Sequence, residues 1–123
     1  MSNNKHLLYV LNSGVDRPPA TLYAPFALAN TAKSMNIDAT IYVMGTGSQV
    51  LKKGIAETIK SGNLPTLKEM INQALTAGVE LMVCSQSMRI LKIEPDDIIP
   101  EAKIVGFATL NNLALEVDAT MWF

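Results

Sequence analysis

The chain of 123 residues is long enough for one domain and too short for two ordinary ones, so we expect a single domain over residues 1–123. Hydrophobic residues make up 49% of it and charged residues 17%, which excludes an intrinsically disordered chain. Ten basic and eleven acidic residues give a net charge of −1 with no basic run, so nucleic acid is not an expected partner. The apolar runs are far shorter than the roughly 20 residues of a membrane span or the core of a signal peptide. We therefore expect a cytoplasmic protein without a membrane partner.

The first half of the chain begins with an apolar run, Leu7 to Leu11, as expected for a strand covered on both faces. A turn-rich loop follows, and helical spacing of apolar residues predicts a helix from about Ala20 to Met35. Pro25 inside that helix requires a late start or a kink. Residues Ala39 to Met44 are rich in β-branched side chains and predict a second strand.

The middle of the chain predicts two further helices and a strand. The segment from Gln49 to Ile59 has the pattern of a short helix that Gly54 weakens. Thr66 with Glu69 three residues later forms a capping box, which predicts a helix over Leu67 to Ala77. Gly78 ends that helix, and the apolar run from Val79 to Cys84 predicts the third strand.

The last third predicts a short helix to Leu91, a strand over Lys103 to Phe107, a helix over Thr109 to Val117 and a strand over Ala119 to Phe123. Strands separated by helices, without hairpin signals, favour a parallel sheet between two helical layers. The fold class is therefore a three-layer α/β/α sandwich.

Cys84 is the single cysteine of the chain, so it cannot form an internal disulfide. It ends a predicted strand and precedes a polar turn that can open a helix. Ligands and chemistry gather at the carboxyl ends of parallel strands, and a helix N-terminus favours a thiolate. A buried structural thiol is the alternative, because free cysteine is among the most buried residue types.

His6 is the single histidine, and it lies just before the first strand. In a parallel sheet that is the edge opposite to Cys84, so we expect no Cys/His pair and a solvent-facing His6. One histidine and one cysteine do not make a zinc site within one chain. We expect no metal and no cofactor.

Two small-residue loops open on the same predicted sheet edge as Cys84. Backbone amides in such loops can bind an anion, although ordinary turns have the same composition. The candidate binding residues are those of the two loops and of the segment after the cysteine, namely Asn12, Ser13, Gly14, Gly45, Thr46, Gly47, Ser85, Ser87, Met88 and Arg89. A helix beginning at Ser85 would bring Ser87 and Met88 closer to the thiol than Arg89.

The segment Cys84-Ser85-Gln86-Ser87-Met88, followed by Leu91 and Ile93, resembles the C-x-x-S-M-x-x-L-x-I pattern of the DsrE-like branch of the DsrE/DsrF/TusD-like sulfur-relay family. The likeness covers nearly the whole chain. It extends to the long early helix and to the segments Ile41 to Gly45, Leu51 to Lys53, Val105 to Thr109 and Val117 to Thr120. Many relatives have glycine where this chain has Lys92.

The resemblance implies a mostly parallel, five-stranded DsrEFH-like α/β/α fold that assembles as a homo-oligomer, a trimer or a hexamer. It implies that Cys84 carries sulfane sulfur or a thiosulfonate and passes it to a partner thiol, for example on a TusA-like protein, and that the chain has sulfurtransferase activity if it catalyses the transfer. Two alternatives stay open. One is a small-ligand-binding or oligomeric scaffold domain in which Cys84 lines the cleft, and the other is a redox-sensing thiol.

Overall fold

The computed structural model describes residues 4–123 and contains one sheet of five parallel strands. The strands are β1 (His6–Leu11), β2 (Asp38–Val43), β3 (Glu80–Cys84), β4 (Lys103–Val105) and β5 (Ala119–Trp122), in the spatial order β4-β3-β2-β1-β5. Each crossover between neighbouring parallel strands contains a helix, as parallel pairing requires. The predicted three-layer α/β/α class and the five-stranded parallel sheet are therefore confirmed.

Four α-helices cover the sheet unequally: α1 (Pro19–Ser34), α2 (Leu67–Thr76), α3 (Ser85–Ile90) and α4 (Phe107–Glu116). One face carries the large core cluster, to which α1 and α2 contribute deeply buried side chains. The other face carries a small cluster of five buried residues, Leu8, Val10, Tyr42, Met82 and Cys84, against which α4 packs partly buried side chains. No residue of α4 is fully buried, so this face of the sheet has a thin cover.

Helix α1 starts before Pro25, which lies buried in its interior. Pro18 and Pro19 begin the helix, where a missing amide hydrogen costs nothing. Pro25 removes one interior hydrogen bond, and the neighbouring buried Leu22 and Phe26 anchor the same face in the large cluster. Tertiary packing therefore overrides the late start that Pro25 alone would favour.

The predicted helix over Gln49 to Ile59 is wrong in type and in extent. The structure has two 3-10 helices instead, Gly45–Leu51 and Ala56–Thr58. The first begins directly after β2 because Gly45 adopts a positive φ of 55°, which turns the chain at once. Gly54 separates the two segments with a φ of 87°, a conformation that an α-helix does not contain.

Helices α2 and α3 end in the same hydrogen-bonded motif. The capping box of Thr66 and Glu69 at the start of α2 is confirmed, and its end has a Schellman motif with Gly78 at φ 96°. At the end of α3, the amide of Ile93 bonds to the carbonyl of Met88, and Lys92 takes the glycine position at φ 58°. Within residues 4–123, no helix has both the length and the apolar character needed to cross a membrane.

Candidate functional site

Cys84 is the last residue of β3 and the N-cap of α3. Its side chain belongs to the small cluster, on the face that α4 covers, and is 0% exposed. The neighbouring strand β4 pairs with it through Val105. The predicted position at the carboxyl edge of a parallel sheet is therefore correct, and the thiol lies inside the rim of that edge rather than on its surface.

The side-chain amide of Gln86 joins this thiol to the start of α4. Gln86 Oε1 accepts hydrogen bonds from Cys84 Sγ at 3.5 Å, from Ser85 Oγ at 3.2 Å and from the Phe107 amide at 3.2 Å. Three donors around one oxygen fix the orientation of the amide group. Gln86 thus contacts both the thiol and the first residue of α4.

Ser87 lies on the other side of the thiol and is buried. Its Oγ accepts a hydrogen bond of 2.8 Å from the amide of Gly45, in the turn after β2. A hydroxyl that accepts one hydrogen bond still has its own proton to donate. The Ser87 hydroxyl is therefore oriented to donate to the sulfur of Cys84.

The surroundings of Cys84 act on its pKa in opposite directions. Burial raises the pKa, because it disfavours the charged thiolate. The hydroxyls of Ser87 and Tyr42 and the backbone amides of Ser87 and Gln86 lie where they can donate to the thiolate, which lowers the pKa. The donors outweigh burial, so the pKa of Cys84 lies below its ordinary value. Near neutral pH a larger fraction of this thiol is therefore ionised than of a free cysteine.

Tyr42 is the second side chain that links the thiol to the start of α4. It is 0% exposed, and its hydroxyl donates a hydrogen bond of 2.9 Å to the carbonyl of Gly106. Burial, together with the neighbouring Cys84, raises the pKa of Tyr42, so its hydroxyl keeps its proton. Sequence reasoning missed Tyr42 and Gln86 as site residues. Strand alternation places Tyr42 on the same face as Cys84 once the register of β2 against β3 is known.

The two small-residue loops meet at the predicted edge. A side chain on Gly45 would overlap the Asn12 amide, and one on Gly14 would overlap Thr46, so the chains are in close contact. The amide of Gly45 bonds to Ser87, and that of Gly47 bonds to Met44. These two amides already have acceptors, so an anion at this edge would need other donors.

The side chains of Met88 and Arg89 lie away from the thiol. Met88 is buried in the large cluster, on the opposite face from Cys84. Arg89 is exposed and lines a groove of about 500 Å³ on the outer side of α3, together with Ser85, Lys92 and Ile104. Ser85 lines this groove, and its hydroxyl donates a hydrogen bond to Gln86 Oε1. The structure thus brings Ser87 to the thiol, with Gly45 bonded to Ser87, and leaves Met88 and Arg89 away from it.

His6 lies at the start of β1, at the edge opposite to Cys84, as predicted. It is half-buried rather than solvent-facing, because its Nε2 bonds to Oγ1 of the buried Thr40 at 2.8 Å. The prediction of a solvent-facing histidine is therefore wrong, although the separation of His6 from the thiol is confirmed.

A parallel α/β/α sheet with one hydrogen-bonded cysteine at a strand end defines a small α/β protein with a candidate thiol centre. The chain belongs to the DsrE/DsrF-like family, whose sequence model matches residues 5–123.

An uncharacterized protein of Methanocaldococcus jannaschii, MJ0760, is 28% identical over 105 residues. The match covers 85% of this chain and 38% of that relative, so the chain spans about two fifths of its length.

Solved structures share the fold over almost their whole length. The ychN protein from E. coli has a TM-score of 0.78 at 16% identity, with 98% of this chain and 99% of that chain covered. MTH1491 from Methanobacterium thermoautotrophicum, a protein of unknown function, has a TM-score of 0.71 at 14% identity, with 98% and 100% covered. BT1422 from Bacteroides thetaiotaomicron has a TM-score of 0.69 at 11% identity, with 95% and 94% covered. At these identities the likeness concerns the fold alone.

Proposed function

We propose that the chain is a sulfur carrier that holds sulfane sulfur or a thiosulfonate on Cys84 and passes it to a partner thiol. The observation that carries the proposal is the set of donors around Cys84, which lowers the pKa of a thiol at a strand end. Membership of the DsrE/DsrF-like family supports it, because that family is associated with sulfur relay.

In the loading step, the Cys84 thiolate attacks the sulfane sulfur of a donor such as thiosulfate. The bond between sulfur and the sulfonate group breaks, sulfite leaves with the electron pair, and Cys84 becomes a persulfide. In the unloading step, the thiolate of the partner attacks the outer sulfur, and Cys84 leaves as a thiolate. Neither step needs a general base, because hydrogen-bond donors from Ser87 and Tyr42 favour the thiolate.

Intact-mass spectrometry after incubation with thiosulfate or polysulfide tests the loading step. We expect wild type to gain the mass of sulfur, and the gain to disappear after reduction with dithiothreitol. Cys84→Ala should gain nothing, and Cys84→Ser, which keeps a hydroxyl of similar size, should also gain nothing. Equal addition to wild type and Cys84→Ala, or no addition to wild type, would reject the sulfur-carrier function.

A second candidate is a ligand-binding or scaffold domain with a structural cysteine, which the 0% exposure of Cys84 favours. Iodoacetamide reactivity against pH separates the two. A carrier thiol should reach its plateau well below the pH at which a free cysteine does. A structural thiol should remain unreactive until the protein unfolds.

The assembly and the partner belong to the same proposal. Large apolar side chains remain exposed in the last 20 residues, at Ile104, Phe107, Leu115, Met121 and Trp122. Exposed apolar residues of this kind mark surfaces that a partner covers. We propose that copies of this chain cover them in a homo-oligomer, a trimer or a hexamer, and that the sulfur acceptor is a TusA-like protein in the cytoplasm.

A further inference from the structure

The 0% exposure of Cys84 raises the question of how a sulfur donor reaches it. The thiol faces the side of the sheet that α4 covers, and α4 has no fully buried residue. Segments with few buried apolar contacts open locally at low cost. The β4–α4 corner, which is Gly106 and Phe107, is the part of this cover that shares hydrogen-bonding side chains with the thiol.

Two side chains hold the β4–α4 corner while Cys84 keeps its proton. The thiol donates to Gln86 Oε1, and the same oxygen accepts from the amide of Phe107. Tyr42 donates its single hydroxyl proton to the carbonyl of Gly106. Both bonds to the corner are therefore made by groups that also contact the sulfur.

Loss of the thiol proton changes both contacts. A thiolate cannot donate, so it and Gln86 Oε1 become two acceptors at 3.5 Å, and within this amide group only the Nε2 end can donate to the sulfur. The Tyr42 hydroxyl has one proton, and a hydrogen bond to a charged acceptor is about twice as strong as one to a neutral carbonyl. Both side chains then bond to the sulfur in preference to Gly106 and Phe107.

The other groups around the thiol do not compete for these roles. Strands β1 and β3 and helix α4 contribute apolar side chains to the small cluster, and β4 contributes Val105. Helix α3 contributes the neutral Ser85, Gln86 and Ser87. Within residues 4–123, Tyr42 is the one titratable side chain in the small cluster besides Cys84 itself.

We propose that Gln86 and Tyr42 are positioning residues that hold the β4–α4 corner over Cys84 and release it when the thiol loses its proton or gains a sulfur atom. This proposal rests on the proposed function, because release of the corner would give the sulfur donor access to the thiol. A bound sulfur atom acts as deprotonation does, because it removes the S–H donor and also adds bulk beneath the corner.

Amide hydrogen exchange at Phe107 in variants tests the cover directly. At pH values where the thiol keeps its proton, exchange at Phe107 in Gln86→Ala and in Tyr42→Phe should be roughly fivefold faster than in wild type, the factor expected for the loss of one neutral hydrogen bond. Gln73→Ala and Tyr9→Phe are the matched controls, since Gln73 is exposed on α2 and the Tyr9 hydroxyl bonds to Leu28 on the other side of the sheet. The controls should exchange at Phe107 at the wild-type rate.

The pH midpoints of iodoacetamide alkylation of Cys84 distinguish positioning from general damage. Tyr42→Phe should shift the midpoint upward, because it removes a donor to the thiolate. Gln86→Ala should shift it less than Tyr42→Phe does, because the Gln86 side chain bonds to both forms of the sulfur, through Oε1 to the thiol and through Nε2 to the thiolate. Equal exchange at Phe107 in wild type and both variants, or a midpoint raised as far in Gln86→Ala as in Tyr42→Phe, would overturn the proposal.

Amide hydrogen exchange on wild type gives a test that no folding defect can obscure. Methyl methanethiosulfonate converts Cys84 into a methyl disulfide, which resembles a persulfide in size, and methanesulfinate leaves. Exchange at Phe107 should become faster after this treatment, while α2 stays unchanged. Unaltered exchange at Phe107 would overturn the proposal. Neither test uses a sulfur donor, so a protein that fails to load sulfur can still pass both, and the two failures remain distinguishable.

Discussion

The Ser87 hydroxyl accepts a hydrogen bond of 2.8 Å from the Gly45 amide and thereby connects the turn after β2 to the first turn of α3. The contact joins residues 42 positions apart along the chain. Because the amide occupies the acceptor side of the hydroxyl, the proton of Ser87 is left for the sulfur of Cys84. A backbone amide in one loop therefore influences the ionisation of a thiol on another element.

Replacing Ser87 by alanine should raise the pKa of Cys84 by about one unit, the size expected for one hydrogen bond to a charged group. Thiolate absorbance in the ultraviolet, followed against pH, measures it. Ser87→Thr keeps the hydroxyl and should restore most of the shift. Ser34→Ala, at an exposed serine on α1, is the control and should leave the midpoint unchanged. A midpoint that does not move in Ser87→Ala would contradict the role of the hydroxyl.

Gly45 and Gly62 form a matched pair for the loop contact. Both have a φ of 55°, but a side chain on Gly45 would overlap Asn12, whereas one on Gly62 would meet nothing within 4 Å. In both variants alanine must adopt the left-handed backbone conformation, which costs about 1–2 kcal/mol of stability. Gly45→Ala should lose more stability than Gly62→Ala in urea denaturation, and it alone should raise the pKa of Cys84. Equal losses of stability would mean that the Asn12 side chain moves aside for the added methyl group.

The alternation of strands and helices could be predicted from the sequence because it depends on local patterns. The bounds of α1 and the capping box of Thr66 follow from apolar spacing and from one short motif. The 3-10 helix Gly45–Leu51 could not be predicted in this way, because contacts with Asn12 and Ser87 determine its position.

The same distinction holds for the candidate site. Cys84 was recognisable because it ends a strand pattern and is the single cysteine. Gln86 and Tyr42 were not, because their partners Phe107 and Gly106 lie 21 and 64 positions away. Their roles depend on the register of the strands and on the path of the chain from β4 into α4, which local spacing does not encode.

The stability of the fold should depend on pH through Cys84. Its pKa is lower in the folded chain than the ordinary value, so the unfolded chain binds more protons in the interval between the two. Stability should therefore rise with pH across that interval, and the contribution should be lost as the pH falls through the folded pKa. The pKa of Tyr42 is raised, so below the ordinary tyrosine range this residue adds no pH dependence to the free energy of unfolding.

Urea denaturation of wild type and Cys84→Ala at a series of pH values checks this dependence. The difference in the free energy of unfolding should grow in favour of wild type as the pH rises toward about 9, near the ordinary thiol range. A difference that shrinks with rising pH would have the wrong sign.

Lys92→Gly should stabilise the protein. Lys92 occupies the left-handed position of the Schellman motif at the end of α3, where Gly78 stands at the end of α2. Glycine avoids a conformational cost of about 1–2 kcal/mol there. Its greater freedom in the unfolded chain offsets part of this stabilisation. Thermal denaturation should show a higher midpoint, while Lys60→Gly, at another exposed lysine, serves as the control. A lower midpoint for Lys92→Gly would mean that the lysine side chain makes a compensating contact.

The proposed homo-oligomer makes a further prediction. Leu115 is 86% exposed and Trp122 is 57% exposed, so each would gain from burial between copies. Light scattering on wild type should give a mass above that of one chain, and Leu115→Glu or Trp122→Glu should lower it. Leu64→Glu, at an exposed leucine in the loop before α2, is the control and should not change the mass. A monomeric wild type at micromolar concentration would reject the assembly.

The unequal covering of the two sheet faces has a consequence for the order of folding. The large cluster joins β1, β2 and β3 to α1 and α2, whereas the small cluster is completed only when the later segments of the chain add β4 and α4. We expect the first group to collapse early and α4 to dock last. During that interval Cys84 would be open to solvent oxidants, so refolding without a reducing agent should yield protein oxidised at Cys84, although the native thiol is buried.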